Sequence, residues 1–305
     1  MSSAEYFTYK GILFPQLEYS WETINQVENE FQILDDDIIN VTYPKSGTVW
    51  MAEILALILK KGDPTWTHNS VVWDRSPWLE TDDGLQVALK YPPPRLMNSH
   101  VPFQFFPKNF LQTKAKVIYV MRNPKDVLVS FYYFSSFIKS LKTPGSLQEF
   151  LEKFLSGNVV YGSWFDHVKS WMGLKGKPNF FYITYEELQQ DLRGSVEKIC
   201  QFLGKELSSQ QMDSVVEHAS FQKMKENKMS NFSVLPDEVV DHKKGRFMRK
   251  EQAPDDSKIS SSQVPGLGPA FPTEAPASGG GLPIWGIWFE VPSSSFNQKS
   301  KSWRA

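Results

Sequence analysis

Short apolar runs rich in β-branched and aromatic residues alternate along this chain with segments in which apolar residues recur at a helical period. Four of the runs predict buried strands that each lead to a polar residue: 38–43 before Lys45, 95–99 before His100, 116–121 before Arg122 and 180–184 before Tyr185. Strands that alternate with helices predict a single α/β domain, in which helices flank a central, mostly parallel sheet. Because ligands of such sheets bind at the carboxyl ends of the strands, we expect the four polar residues to converge at one edge.

The turn after the first predicted strand has the composition of an anion-binding loop. Gly47 permits a tight turn, and Ser46 and Thr48 are predicted to cap the helix that carries the apolar run 51–59. The N–H groups of that helix start and the Lys45 ammonium would then point at one anion. The lysine precedes the glycine, so the common nucleotide-binding pattern G-x-x-x-x-G-K-[ST] is absent. Taken alone, the loop is equally compatible with an ordinary strand–turn–helix joint that happens to contain a lysine.

Composition and charge narrow the function classes. The 305 residues include 33 basic and 34 acidic ones, and this balance argues against a nucleic acid as the main ligand. Residues 1–10 lack the basic start and the apolar block of a signal peptide. The run 51–59 is too short to span a bilayer, which requires roughly 20 residues. We therefore expect a cytoplasmic protein with no membrane span.

Cysteine and histidine usage excludes two further kinds of site. Cys200 is the only cysteine, so the chain has no intrachain disulfide and no multi-cysteine metal site. The five histidines are scattered, without an H-x-x-x-H pair that one helix could present to a metal. We expect no metal cofactor.

Two motifs carry a resemblance to a known family. They are TYPKSGTVW at 42–50 and RNPKDVLVS at 122–130, with shorter likenesses at 161–167 and 183–191. From about residue 10 to residue 250 the sequence resembles the cytosolic sulfotransferases, and its motifs are most similar to those of the hydroxysteroid, or alcohol, branch. The resemblance implies a P-loop-NTPase-like sulfotransferase fold. It also implies direct, in-line transfer of a sulfuryl group from PAPS to the hydroxyl of a steroid or another lipophilic alcohol.

The resemblance also assigns roles to residues of this chain. It implies that the phosphosulfate end of PAPS is held by Lys45, Ser46, Gly47, Thr48, Val49 and Trp50. It implies that the remaining donor contacts come from Arg122 and Ser130 at the 3′-phosphate, from Tyr185 near the adenine, and from Arg249 and Lys250. His100 would be the catalytic base, and Lys45 would stabilise charge on the bridging oxygen. Without the donor motifs, we would interpret His100 as an ordinary hydrogen-bonded histidine at the end of a strand.

Aromatic residues are the candidates for the acceptor site. An apolar pocket with one base at its mouth suits a small lipophilic alcohol such as a steroid. The residues that could line it are Phe14, Tyr19, Trp73, Trp78, Phe134 and Phe232. Each of these could equally be ordinary core packing. A small-molecule kinase explains neither the order of lysine and glycine nor the missing Mg²⁺-binding carboxylate.

The sequence after Lys250 departs from the family pattern. Glu251 stands where the family has a glycine that begins the loop closing over the 3′-phosphate, and Ala219 stands where it usually has a hydroxyl. Half of residues 253–282 are Pro, Gly or Ser, so we expect a sulfotransferase domain at 1–250, incomplete at its C-terminal side, and a mostly disordered tail at 251–305. The family's dimer segment is not recognisable, which predicts a monomer or a weak homodimer. The alternative function is a catalytically impaired variant that only binds nucleotide or a lipophilic ligand.

Overall fold

A computed structural model of the chain describes residues 4–248. The predicted donor residues Arg249 and Lys250 and the predicted tail at 251–305 lie outside the described residues. The proposed domain boundary therefore stays a prediction.

A four-stranded parallel sheet lies at the centre of the fold, in the order β4-β3-β5-β6. Its strands are β3 (Ile38–Thr42), β4 (Leu96–Ser99), β5 (Lys116–Met121) and β6 (Phe180–Thr184), and a separate antiparallel hairpin pairs β1 (Tyr6–Tyr9) with β2 (Ile12–Pro15). All five residues of β3 are buried, because strands on both of its sides and helices cover it. The α/β fold class is confirmed, as are the four predicted strands, except that β3 and β4 are each one residue shorter than expected.

Twelve α-helices surround the sheet within the described part of the chain. They are α1 (Trp21–Asn29), α2 (Thr48–Leu59), α3 (Thr65–Asn69), α4 (Val72–Arg75), α5 (Asp82–Lys90), α6 (Pro124–Phe137), α7 (Leu147–Leu155), α8 (Trp164–Met172), α9 (Tyr185–Gln190), α10 (Leu192–Leu203), α11 (Ser209–His218) and α12 (Phe221–Glu226). Short 3-10 helices lie at Phe103–Phe105 and Phe110–Gln112. None of the helices in residues 4–248 combines the length and apolar character needed to cross a membrane.

The start of α2 differs from the prediction in how it is capped. Gly47 is the N-cap residue, in a left-handed conformation with φ of 105°, and no side chain caps the helix. The expected capping by Ser46 and Thr48 was wrong, because the Thr48 hydroxyl lies 2.6 Å from the Thr42 hydroxyl of β3 instead. The Ser46 hydroxyl is buried and has no hydrogen-bond partner within residues 4–248. The backbone N–H groups of the first turn of α2 are therefore not used by a side-chain cap.

Helix α2 is the main packing element of the core. Its residues from Met51 to Ile58 are all buried, against strands of the sheet on one side and α10 and α11 on the other. A buried ion pair then ties α2 to the next part of the chain: Arg75 on α4 donates to Glu53, which also accepts from the Ser230 hydroxyl at 2.6 Å. This packing fixes the direction in which the start of α2 faces.

Candidate active site

Two residues of the loop between β3 and α2 have a left-handed backbone conformation. Lys45 has φ of 70° and Gly47 has φ of 105°. The first N–H groups of α2 have no hydrogen-bond acceptor within the helix, and the bend directs them to the carboxyl end of the sheet. The buried, unpartnered hydroxyl of Ser46 lies in the same loop. Such a set of donors at a helix N-terminus fits an anionic group.

The Lys45 ammonium lies under two aromatic rings. Its Nζ is 3.7 Å from the ring centre of Phe134 and 4.3 Å from that of Phe247. Phe134, which the sequence suggested as an acceptor-site residue, therefore covers the lysine. Such contacts hold a cation by attraction to the ring face and keep it partly out of water. They place the positive charge of Lys45 beside an apolar surface.

Arg122 and Tyr185 form a stacked pair beside the loop. The guanidinium carbon of Arg122 is 4.2 Å from the centre of the Tyr185 ring, and Arg122 Nη1 donates to the Lys45 carbonyl at 3.1 Å. The Nε–H of Arg122 is buried without a partner in residues 4–248, so this side chain keeps donor capacity for an anion. The Tyr185 ring also contacts Trp50, whose indole N–H donates to the carbonyl of Ala219 at 2.8 Å.

The other two predicted donor residues lie on neighbouring helices. Ser130 is half-buried on α6, the helix that follows Arg122. The Val49 side chain is buried against Ala52 and Val72, so only its backbone N–H is available to a ligand. The structure thus brings the described donor candidates to the ends of β3, β5 and β6, as the parallel sheet predicts.

The His100 ring has a hydrogen bond on each nitrogen. Nδ1 is 2.8 Å from the Thr42 carbonyl, and Nε2 is 2.9 Å from the indole Nε1 of Trp78. A carbonyl can only accept and an indole N–H can only donate, so the partners fix the tautomer. Nδ1 carries the proton, and Nε2 presents its lone pair.

The backbone of His100 is also held on both sides. Its N–H donates to Glu80 Oε1 at 2.7 Å, and its carbonyl accepts from the Nε2–H of His167 at 3.1 Å. Because that carbonyl can only accept, Nε2 of His167 carries the proton, and the Tyr119 hydroxyl donates to Nδ1 of His167 at 2.8 Å. Sequence reasoning missed Glu80 and assigned no role to His167. The likeness at 161–167 contained His167, but nothing in the sequence around Glu80 marks it.

Burial shifts the pKa values of these three groups in the directions that keep them neutral. Burial, with a smaller contribution from the Lys45 charge, lowers the pKa of His100 to about 4 against the opposing hydrogen bond to the Thr42 carbonyl. Burial likewise lowers the pKa of His167 to about 3. Burial raises the pKa of Glu80 to about 7, although its bonds to the His100 N–H and to Ser99 favour the charged form. At neutral pH, His100 is therefore an uncharged hydrogen-bond acceptor.

The aromatic acceptor candidates fall into two groups. In the first group, Tyr161 lies edge-on to His100 with ring centres 5.3 Å apart, and the Tyr161 hydroxyl donates to the Tyr19 hydroxyl at 2.7 Å. Phe14 is buried in the core behind Tyr161. The second group contains Trp73, which contacts Phe232, and Phe247, which stacks on Phe232 at 4.1 Å and covers Lys45. Trp78 packs against the same buried cluster as this second group and also donates a hydrogen bond to His100.

Comparison with known proteins identifies the family. The sulfotransferase domain family matches residues 35–258, which is more than half of the chain. The chain belongs to the sulfotransferase family. Sulfotransferase 2B1 of Mus musculus is 54% identical to this sulfotransferase over 246 residues, 81% of this chain and 73% of the relative. A 3-beta-hydroxysteroid sulfotransferase of Cavia porcellus is 50% identical over 232 residues, 76% of this chain and 81% of the relative.

A solved structure agrees with this assignment. The crystal structure of mouse sulfotransferase SULT7A1 complexed with PAP matches this sulfotransferase with a TM-score of 0.70 and 30% identity, over 85% of this chain and 89% of the other. The predicted family and the predicted enzyme class are confirmed. Within residues 4–248 no group of three or more His, Cys, Asp or Glu could hold a metal ion.

Proposed function

We propose that this sulfotransferase takes its sulfuryl group from PAPS. The proposal is supported by two buried donors that lack a protein partner in residues 4–248, the Ser46 hydroxyl and the Arg122 Nε–H. Ser46, Thr48 and the first N–H groups of α2 would hold the phosphosulfate end, and Arg122 with Ser130 would hold the 3′-phosphate. Tyr185, stacked under Arg122, offers a flat face for the adenine. Bound PAPS supplies an activated sulfuryl group whose leaving oxygen belongs to a phosphate.

We propose a steroid or another lipophilic alcohol as the acceptor. The names of relatives at about half identity include a 3-beta-hydroxysteroid sulfotransferase, and the aromatic surface beside His100 suits an apolar ring system. Trp78 and Tyr161 contact His100, and Tyr19 accepts a hydrogen bond from the Tyr161 hydroxyl. Trp73, Phe232 and Phe134 form the adjoining apolar surface that leads to Lys45.

The single observation that carries the mechanism is the fixed tautomer of His100. With Nδ1–H bound to the Thr42 carbonyl, the lone pair of Nε2 takes the proton of the acceptor hydroxyl. The acceptor oxygen forms its bond to sulfur while the bond from sulfur to the bridging oxygen breaks. The Lys45 ammonium stabilises the charge that develops on that oxygen. The proton ends on Nε2, where the Thr42 carbonyl supports the imidazolium through Nδ1.

Transfer of radiolabelled sulfate from PAPS to a panel of sterols and phenols tests this function. We expect labelled steroid sulfate, and a loss of label of about 100-fold or more in His100→Asn, because general-base catalysis contributes that much. His68→Asn is the matched control, since His68 is exposed on α3. Absence of transfer in the wild type, or equal transfer in both variants, would contradict the proposal.

The alternative is a variant that binds ligands without efficient transfer. It is motivated by Glu251 in the sequence and by Ala219, which offers Trp50 a carbonyl but has no side-chain hydroxyl. Calorimetry with PAP separates the two functions. We expect the affinity of the wild type to match that of a chimera with a relative's C-terminal segment, and a much weaker wild type would favour the alternative. Light scattering tests the predicted monomer or weak homodimer.

A further inference from the structure

Nε2 of His100, the atom assigned to proton removal, already has a hydrogen-bond donor in the unliganded protein. The indole N–H of Trp78 donates to it over 2.9 Å. A neutral imidazole has one lone pair, at the nitrogen that carries no proton, and Nδ1 carries the proton here. That lone pair cannot accept a good hydrogen bond from the indole and from an acceptor hydroxyl at the same time.

The backbone of Trp78 is fixed by its neighbours. Residue 78 bridges Asn98 at the edge of β4, where the Asn98 N–H donates to the Pro77 carbonyl at 2.8 Å and the Leu79 N–H donates to the Asn98 carbonyl at 3.0 Å. The Trp78 carbonyl accepts from the Thr81 hydroxyl at 3.0 Å. A methyl group on Gly84 would lie only 2.0 Å from that carbonyl oxygen, so helix α5 is packed directly on it. Displacement of the indole must therefore occur by rotation of the side chain.

The indole side chain of Trp78 is half-buried and packs against the apolar cluster that contains Val72 and Met224. No other hydrogen bond of the indole competes with the one to His100, because an indole has a single N–H. The contact to Nε2 is thus the one polar interaction that a rotation would break.

We propose that Trp78 is a cap on the His100 base, which the acceptor hydroxyl displaces when it binds. The inference rests on the proposed function, since it takes Nε2 as the proton acceptor. The O–H of the acceptor replaces the indole N–H as the donor to Nε2, so the base keeps one hydrogen bond throughout. The cap keeps water from the lone pair in the empty site. A ligand of the same shape that brings no hydroxyl donor leaves the cap in place.

Two consequences distinguish a cap from a residue that merely lines the pocket. A donor to Nε2 stabilises the neutral ring, so removal of the indole N–H should raise the pKa of His100 in the protein without ligands. Removal should also strengthen binding of hydroxylated acceptors alone, because they no longer compete with the cap. The Lys45 charge and the Thr42 carbonyl, the other groups that act on this ring, stay in place.

The experiment compares Trp78→Phe with Trp21→Phe, a control at an indole that is 50% exposed on α1. The His100 ring is titrated by ¹⁵N NMR without substrates, and the affinity of a hydroxysteroid and of its deoxy analogue is measured by fluorescence. We expect a higher His100 pKa in Trp78→Phe. We also expect the affinity for the hydroxysteroid to rise about three- to tenfold relative to the affinity for the deoxy analogue, which corresponds to one neutral hydrogen bond. The control should match the wild type.

An unchanged His100 titration would overturn the cap, and so would an equal change of affinity for both steroids, which is the behaviour of a wall residue. Neither readout requires turnover. Failure of the proposed function instead appears as absence of sulfuryl transfer in the wild type, whatever the titration of Trp78→Phe. The two failures are therefore separate results.

Discussion

Replacement of Gly47 by alanine tests whether the loop and the Tyr185 ring form one unit. A Cβ atom built on Gly47 lies 2.8 Å from Cδ2 of Tyr185 and 3.4 Å from Cε2. Ordinary contact begins near 3.4 Å, so the ring must retreat by about 0.6 Å or the loop must deform. The ring cannot retreat alone, because it lies against the Arg122 guanidinium on one face and the edge of Trp50 on another.

Two separable effects set the magnitude. The left-handed φ of 105° penalises any L side chain, which lowers the free energy of unfolding by roughly 1 to 2 kcal/mol. Disturbance of the stacking between Tyr185 and Arg122 removes a contact worth about 0.5 to 2 kcal/mol, or roughly 2- to 30-fold in the affinity for PAP. Only the second effect acts on the ligand.

The chain offers a matched control for the first effect. Gly176 has φ of 92°, and a Cβ atom there meets nothing within 4 Å. Urea unfolding should show that Gly176→Ala and Gly47→Ala both lose stability, the latter more. Calorimetry should show weaker binding of PAP in Gly47→Ala alone. Equal PAP affinity in the two variants would refute the reasoning that ties the loop to Tyr185.

Three further predictions concern ionisable groups. Lys45→Met should lower kcat by about 100-fold or more, in addition to any effect on the KM for PAPS. The control Lys90→Met, on the exposed face of α5, should leave kcat unchanged, and steady-state kinetics measures both variants. The acid limb of kcat/KM should lie near pH 4, because the proposed base, His100, must be neutral to accept a proton. Glu80→Gln should remove any second limb near pH 7, and a limb at pH 6.5 in both forms of the protein would contradict this prediction. The pKa of His167 is about 3 in the folded protein and near 6.5 in the unfolded chain, so between these pH values the unfolded chain binds the extra proton. The free energy of unfolding should therefore fall by about 1.4 kcal/mol for each pH unit below pH 6.5, until the pH nears 3. Denaturation of His167→Gln should show a shallower acid slope, and identical slopes would contradict the assignment.

The sequence predicted the sheet because its strands are short runs of mostly apolar residues. Runs such as 116–121 and 180–184 are continuous apolar segments, and both coincide with the strands in the structure. Parallel strands share one carboxyl edge, so the convergence of Lys45, His100 and Arg122 also followed from the pattern. The hairpin of β1 and β2 was missed, since four-residue strands with intermediate burial give a weak signal.

The residues that orient His100 could not be predicted. Glu80 lies 20 positions before His100 in a short irregular segment, and it acts through a backbone N–H, which has no sequence signature. His167 lies 67 positions after His100 and acts through a backbone carbonyl. The hydrogen bond from Trp78 depends on a bridge of residue 78 to β4. Such contacts depend on tertiary structure, and periodicity carries no information about them.

The arrangement around His100 changes how a pH dependence of this sulfotransferase should be interpreted. A histidine base suggests a titration near pH 6.5, yet burial moves the pKa values of both His100 and His167 to about 4 or below. Of these three buried groups, the Glu80 carboxyl has the pKa nearest to neutrality, at about 7, and it contacts His100 through the backbone N–H of that residue. Loss of the proton from Glu80 strengthens that hydrogen bond and places a negative charge in the core beside the base. A kinetic pKa near 7 would therefore report the positioning of His100 and not the protonation of its ring.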